Sequence, residues 1–457
     1  MKNGVMHIEE NKYLYFIALI GFGFLWTGTA YIVQSYRLLH FLEGETVNLL
    51  VCGMYYVCQA FGIGIVSFLF TKHSMIAGDR ILPFWTTIII VACTATAVFS
   101  TSLSIIIISG LLMNISIGVL SGCYLTRLAT DIPQQRRGIV FGAAYAFGSI
   151  GTWLLSLPMG TKFLWSSFSF YAVAILAAGS LILLRHLSCP IKKENKPEQQ
   201  ATGFDNKIIY LAAAVLFLLS LQNTLGFSFP LKNTPGNVYI EFTRTFYALG
   251  LIIAGLVSDK SRRWGAICCL AALAFPFAAL TLGNSVFGES IMWMAAYLFL
   301  GFWSAYRILV FSDISAKRGL PGLAVVGLLA GRLGEATGTL GASFLTGIPL
   351  VLVSGIVFAL VIVLFFSLYQ KLYSTIVNVE EMEKQRLLEY ANRFNLSPRE
   401  QEIFNLIVQG MSNTEIAGAL FITESTVKFH AGNIFKKTGF SSRSALIADF
   451  KLRNSII

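Results

Sequence analysis

Charged side chains are scarce in this chain of 457 residues: only 12% are Asp, Glu, Lys or Arg, whereas 55% are hydrophobic. This composition excludes the two or three ordinary soluble domains that the length alone would suggest. Long apolar runs with few charges are instead typical of an integral membrane protein.

Signatures of enzymes and metal sites are also missing. Six of the seven cysteines lie in apolar runs and none forms a C-x-x-C pair, so we interpret them as packing residues. The sequence shows no nucleophile–base pair, phosphate-binding loop or metal-ligand cluster. Its first residues, MKNGVMHIEENKYLYF, lack a small-residue cleavage site. We therefore expect no enzyme activity, no metal or other cofactor, and no removable signal peptide.

Apolar runs long enough to cross about 30 Å of hydrocarbon recur twelve times before residue 370. They predict an all-α membrane domain over residues 1–370, a twelve-helix transmembrane bundle. With the N-terminus inside, fifteen Lys and Arg lie in cytoplasmic loops and three in outer loops. This asymmetry predicts a multi-pass protein of the bacterial inner membrane with both termini in the cytoplasm. The approximate spans are 13–33, 49–70, 81–99, 103–124, 138–157, 163–184, 208–228, 239–257, 265–282, 291–311, 322–345 and 348–369.

The longest loop between spans, 185–207, is charged and contains two prolines, and it separates halves at 13–184 and 208–369. This six-plus-six arrangement resembles the major facilitator fold, which implies a cavity between the halves at the membrane midplane. The loop Gly255 to Arg263 (GLVSDKSRR) resembles the G-x-L-x-D-R-x-G-R-R loop of that superfamily. Its first-half counterpart keeps only Gly78, Asp79 and Arg80, a departure that argues against transport.

Charges inside the spans occur only in the second half of the predicted membrane domain. A charge in hydrocarbon is costly unless it is paired or faces water, so each is a candidate site. Glu241 and Arg244 lie three apart near the outer end of span eight. Arg332 and Glu335 lie three apart in the middle of span eleven, either as a structural ion pair or as contacts to an anionic ligand. Arg307, near the cytoplasmic end of span ten, is expected to extend toward the interface.

A polar segment follows the last span. Residues 371–395 are predicted to form a helical linker, and 396–457 a domain of short, capped helices. Ser397 and Ser412 are each followed three residues later by a glutamate, the capping-box pattern, and Thr423 is expected to cap a third helix. Two short helices joined by a tight turn, the second with a basic outer face, are typical of a helix-turn-helix that reads DNA.

At these residues the chain closely resembles the C-terminal DNA-binding domain of the LuxR/NarL family of bacterial transcription regulators. The resemblance rests on many motif residues, among them Arg399, Glu400, Gly410, Glu415, Ile416, Ala417, Thr426, Val427, Lys428, Lys437 and Gly439. It implies a four-helix LuxR-type helix-turn-helix domain. The residues expected to bind DNA are Ser412, Asn413, Thr414, Thr423, Glu424, Ser425, Thr426, Lys428, Phe429, His430, Asn433, Lys436 and Lys437.

One departure from the family pattern concerns the outward face of the third helix. Gly432 stands where family members commonly present a polar or basic side chain to DNA. Base reading is therefore expected to depend on fewer side chains than usual.

Two functions of different classes remain open. The first is a membrane-bound one-component transcription regulator that senses a small molecule through its membrane domain. The second is a major-facilitator-type transporter with a regulatory cytoplasmic tail. We favour the first, because a complete DNA-reading domain has no use in transport. Expected partners are promoter DNA, the lipid bilayer, a small anionic ligand, RNA polymerase and a second copy of the chain. The dimer contact would use Ala445, Leu446, Ile447 and Phe450.

Overall fold

The computed structural model describes residues 2–73, 81–156, 174, 176–180, 206–233, 240–243, 245–282 and 286–453. The chain divides into two compact units, Met1–Tyr369 and Gln370–Ile457. Within the described ranges every regular element is a helix. The predicted all-α class is therefore confirmed.

The first half of the membrane unit contains six helices among its described residues. They are α1 (Lys2–Leu39), α2 (Gly44–Asn48), α3 (Tyr55–Lys72), α4 (Ile81–Phe99), α5 (Leu103–Asp131) and α6 (Arg137–Ser156). A π-helical stretch, Leu49–Met54, joins α2 to α3, and a 3₁₀ turn, Gln134–Arg136, precedes α6. Most of the predicted span six, 163–184, lies outside the described residues.

The second half contains seven described helices. They are α7 (Asn206–Asn233), α8 (Ile240–Thr243), α9 (Thr245–Lys260), α10 (Arg262–Leu282), α11 (Val286–Arg318), α12 (Val326–Phe344) and α13 (Ile348–Tyr369). A 3₁₀ turn, Pro321–Val325, leads into α12. The predicted loop 185–207 lies outside the described residues except for its last two positions.

Eight helical segments in the described part of the chain are long and apolar enough to cross a bilayer. They correspond to predicted spans one to four, seven, and ten to twelve. Spans five, eight and nine coincide with α6, α9 and α10, which are helical but are not among the eight. The chain is thus a multi-pass membrane protein, whereas the count of twelve spans stays a prediction.

Glycines allow the backbones of the two halves to come into direct contact where α6 packs on α9. A Cβ added to Gly142 would lie 2.2 Å from the carbonyl oxygen of Leu251, and one on Gly255 would lie 2.4 Å from that of Gly138. Close-packed interiors leave no room to absorb such overlap. Any larger side chain at these positions would push the halves apart.

The C-terminal unit begins with a π-helical turn, Gln370–Ser374, and continues through five helices of its described residues. They are α14 (Thr375–Arg393), α15 (Pro398–Val408), α16 (Asn413–Leu420), α17 (Glu424–Thr438) and α18 (Arg443–Arg453). The predicted linker is thus helical for most of its length, with a widened first turn.

The end of α14 belongs to the core of this unit. The Tyr390 ring stacks on Phe404 with centroids 5.0 Å apart, and it meets Phe450 edge-on at 5.4 Å. Its hydroxyl donates to Asp449 Oδ2 at 2.9 Å. The last turns of the predicted linker therefore contribute to the C-terminal domain rather than only connecting to it.

Helix α18 turns its larger apolar residues inward. Leu446 and Phe450 are buried against the same core as Tyr390. The expectation that both are presented to a second copy is therefore wrong: burying them within one domain already satisfies their apolar surface. Ile447 is only half-buried and is still available on the outer side.

Candidate DNA-reading surface and membrane cavity

Side-chain caps fix the two helices of the helix-turn-helix. Ser412 Oγ accepts from the Glu415 backbone N–H at 3.3 Å, and the Glu415 carboxylate accepts from the Ser412 N–H at 2.8 Å. Thr423 Oγ1 caps α17 by accepting from Thr426 N–H at 3.3 Å. The predicted caps are confirmed. Phe421, between the two helices, has a φ of +56°, so the turn reverses in a left-handed residue.

Helix α17, which we call the recognition helix, has one buried and one exposed side. Val427, Ala431 and Ile434 are buried in the domain core. On the other side Lys428, Phe429 and Lys436 are exposed, and Phe429 has 65% of its surface in solvent. This side of the helix thus offers two ammonium groups and one aromatic ring to a partner.

The other predicted DNA-binding residues lie on the N-terminal turns of α16 and on α17. Exposed members are Ser412, Thr414, Thr423, Glu424 and Ser425, and half-buried members are Asn413, Thr426, His430 and Asn433. The N-termini of the two helices present backbone N–H groups that favour phosphate oxygens.

Gly432 lies one turn beyond Lys428 on the exposed side. A Cβ built there would meet nothing within 4 Å. The position is thus an open notch in the recognition helix, as the sequence implied. The helix backbone can approach a partner closely at Gly432, but this position offers no side chain to contact a base.

Lys437 differs from its neighbour Lys436. Its ammonium donates to Glu400 Oε2 at 2.6 Å and to the Asn395 carbonyl at 2.9 Å. Burial alone would raise the pKa of the Glu400 carboxyl, but the bonds from Lys437 and the Ser397 N–H outweigh it and lower the pKa below its usual value. Two of the three ammonium donors are therefore engaged inside the domain.

A cavity of about 540 Å³ lies between the two halves of the membrane unit. Residues from both halves line it, and aromatic rings such as Tyr31, Tyr145 and Tyr247 form much of its wall. Its size suits a small molecule.

The charged group of this cavity contains three residues. Glu335 accepts from Arg307 at 2.6 Å through Oε1 and from Arg332 at 2.7 Å through Oε2. Each guanidinium also lies over an aromatic face at 4.2 Å, Arg307 over Trp303 and Arg332 over Tyr56. Tyr56 belongs to the first half and Arg332 to the second, so this stacking contact joins the halves.

The expectation for Arg307 is wrong. It is only 3% exposed and lies in the cavity wall instead of extending to the interface. The reason is the length of α11, which continues to Arg318 and places Arg307 about three turns from the helix end. Of the other predicted pair, Arg244 and the side chain of Glu241 lie outside the described residues.

A second ionic cluster, centred on Asp313 of α11, ties the halves together. Asp313 accepts from Arg137 of α6 at 2.9 Å and from Arg262 of α10 at 2.8 Å. Asp259 accepts from the backbone N–H groups of Gly138 and Ile139 at 2.7 and 2.8 Å, at the start of α6. The segment from Gly255 to Arg263, predicted as a loop, is helical except at Ser261, where α9 ends and α10 begins. Its Asp259 and Arg262 join helix ends across the two halves.

Both units have similar proteins of known sequence or structure. A family model described as "Bacterial regulatory proteins, luxR family" matches residues 395–449. The membrane unit is similar to the crystal structure of the Major Facilitator Superfamily transporter FucP in the outward conformation. That likeness has a TM-score of 0.57 and 12% identity, and covers 78% of this chain and 98% of that one, so it shows the fold alone.

Curated relatives match through the C-terminal domain. The spore germination protein GerE of Bacillus subtilis is 39% identical over 61 residues, which are 13% of this chain and 82% of GerE. The nitrate/nitrite response regulator NarL of Escherichia coli is 52% identical over 48 residues, which are 10% of this chain and 22% of NarL. The CsgBAC operon transcriptional regulatory protein of Escherichia coli is 47% identical over 53 residues, 12% of this chain and 24% of that protein.

Fold and surface together define a helix-turn-helix transcription regulator joined to a membrane domain of the major facilitator fold. Its C-terminal domain is similar to those of transcription regulators, and its membrane domain shares only the fold of a transporter. The chain belongs to the luxR family of bacterial regulatory proteins.

Proposed function

We propose that this regulator works in the bacterial inner membrane with both termini in the cytoplasm, binding a small molecule in the cavity between its halves and promoter DNA through its C-terminal domain. The proposal that the C-terminal domain binds DNA rests on one observation. The recognition helix buries one side and leaves Lys428, Phe429 and Lys436 exposed on the other. Such a helix suits the major groove.

The exposed residues divide into two roles. Lys428 and Phe429 would read base edges, as hydrogen-bond donor and as apolar contact to a thymine methyl group. Lys436 and the helix N-termini at Ser412 and Thr423 would hold phosphates. We leave Lys437 out of the phosphate contacts, because its ammonium already binds Glu400.

The small net charge of the C-terminal region indicates that a few placed cations, and not an overall positive charge, attract DNA. From Ile376 onward the sequence has 10 Lys and Arg against 9 Asp and Glu, a net charge of 10 − 9 = +1. Affinity for phosphate must therefore come from the few placed cations and helix ends, and non-specific binding should be weak. A homodimer through the C-terminal domain and contact with RNA polymerase belong to the same proposal.

The coupling between cavity and DNA is supported by chain order. The apolar helix α13 is followed by α14, whose last turns are part of the core of the C-terminal unit. A ligand shifts a two-state equilibrium only by its differential affinity for the states, and a switch from mostly off to mostly on needs roughly 10⁴-fold preference.

The test of this function uses the full chain in native membrane vesicles. DNA fragments selected from a random pool should be retained by wild type and lost with Val427→Asp, which places a charge in the domain core. Topology is checked by external cysteine labelling, which should modify position 232 and spare position 196. Labelling of 196 alone would place the DNA-binding domain outside the cell and contradict the proposal.

Transport is the second candidate, because the membrane unit has the fold of the transporter FucP and encloses a cavity. An uptake assay with purified protein in liposomes distinguishes the regulator from the transporter. A regulator binds its effector without accumulating it, whereas uptake into the vesicle lumen would favour the transporter with a regulatory tail.

A further inference from the structure

The charges that line the cavity do not balance. Arg307 and Arg332 carry two positive charges and Glu335 one negative, and among the residues that line the described cavity no other is acidic. The group therefore keeps a net charge of +1 in a buried place, where an uncompensated charge is costly. One bound negative charge would neutralise the group, whereas two would leave it with a net charge of about −1.

Hydrogen-bond donors are in excess at the same place. The nitrogens Arg307 Nε, Arg332 Nε and Trp303 Nε1 are buried and have no acceptor among the described residues. Buried donors are normally satisfied, so three close together call for an acceptor. A carboxylate has two oxygens that suit the planar fork of a guanidinium. A cation or a ligand that only donates would leave all three unsatisfied.

Aromatic faces surround the charged group. Phe24 stacks on Tyr145 with centroids 4.5 Å apart, and Tyr145 meets Tyr247 of the other half edge-on at 5.9 Å. Flat rings pack against such walls in stacked or edge-to-face geometry. A cavity of about 540 Å³ leaves space for a small ring-bearing molecule beside the arginines.

We infer that the cavity takes a small aromatic monocarboxylate, and that Glu335 sets the charge of the ligand by neutralising one of the two arginines, Arg307 and Arg332. This inference rests on the proposed function, since it names the ligand of the sensing cavity. The incoming carboxylate binds the donors that Glu335 leaves free. Because Glu335 already neutralises one arginine, a dicarboxylate leaves an excess negative charge and is rejected.

The experiment measures ligand affinity of the purified full chain in nanodiscs. The probes are three matched series at neutral pH: benzoate, phenylacetate and 3-phenylpropionate; their amides; and the dicarboxylates phthalate and phenylsuccinate. In wild type at least one monocarboxylate should bind on the order of tenfold or more tightly than its own amide, since hydrogen bonds to charged groups carry this discrimination. The dicarboxylates should bind more weakly than the monocarboxylates.

Two variants distinguish an effect of cavity charge on ligand preference from a loss of folded protein. Arg332→Gln keeps the 2.6 Å pair between Arg307 and Glu335, so the group stays balanced and folded, and the preference for acid over amide should disappear. Glu335→Gln leaves both arginines unpaired and should reverse the order, so that dicarboxylates bind more tightly than monocarboxylates. Arg318→Gln, on the same helix as Arg307 but outside the cavity, should behave as wild type.

Equal affinity for acids and amides, binding of none of the acids, or an unchanged order in Glu335→Gln would overturn the inference. DNA retention by the same preparation is measured in parallel. Lost DNA binding would point to failure of the proposed function, whereas intact DNA binding without acid preference would contradict only the ligand assignment.

Discussion

Lys437 reaches back from the recognition helix to Glu400 on α15, with 2.6 Å between the ammonium nitrogen and the carboxylate oxygen. Glu400 is buried and also accepts from the Ser397 N–H as part of the capping box. One carboxylate thus holds both the start of α15 and the end of the recognition helix.

Replacing Lys437 should therefore cost stability. Lys437→Ala leaves the Glu400 carboxylate without its cation and should lower the free energy of unfolding of the C-terminal domain by about 1–3 kcal/mol. The expected loss is small because the Lys437 side chain is 38% exposed and water replaces part of the interaction. Chemical denaturation checks the value. Lys436→Ala is the matched control, and an equal loss there would contradict the distinction between the two lysines.

The same ion pair predicts acid sensitivity. The pKa of Glu400 is lowered in the folded state, so its contribution to stability is present above its unfolded pKa of about 4.3 and is lost as pH falls through the folded value. Unfolding free energy measured between neutral pH and pH 3 should fall less steeply in Glu400→Gln than in wild type. Parallel pH profiles would show that the carboxylate does not contribute in this way.

Two exposed lysines should affect DNA binding differently. Lys428→Ala should cost about 1–3 kcal/mol, mainly on the selected site, because it removes a base contact. Lys436→Ala should weaken binding to all sequences and reduce the salt slope by about 1, because it removes a phosphate contact. Titrations on specific and random duplexes at several salt concentrations give both quantities. Equal losses on both duplexes for both variants would refute this division.

The glycine contact between the halves should not tolerate a side chain. Gly142→Val would force its Cβ against the Leu251 carbonyl and should lower the melting temperature of the full chain in detergent. Gly355→Val is the matched control, since a Cβ at Gly355 meets nothing within 4 Å. Similar melting temperatures for both variants would mean that α6 and α9 separate freely.

The capped helices of the C-terminal domain could be predicted from sequence, because a capping box is local. Ser412 and Glu415 are three residues apart, and their contacts depend on little else. The closing left-handed glycines, Gly410 and Gly439, are local signals of the same kind. The sequence does not indicate the partner of Lys437, since Glu400 lies 37 residues away and only the packed domain brings the two together.

In the membrane unit, too, the sequence predicts contacts within one helix but not contacts between helices. Arg332 and Glu335 can be predicted as a pair from sequence, because a charge in an apolar run is conspicuous and the two lie one helical turn apart. The position of Arg307 cannot be predicted in this way, because its depth depends on where α11 ends and apolar runs do not fix that boundary. Its contact with Glu335 joins different helices and has no local signal in the sequence.

The most direct test of the account is transcription from a promoter selected by the full chain, measured with and without inducer in cells that carry Arg332→Leu. The account predicts that the response to inducer is abolished, while the variant still reaches the membrane and binds the promoter with wild-type affinity. A normal response in Arg332→Leu would contradict the claim that the cavity controls the DNA-binding domain.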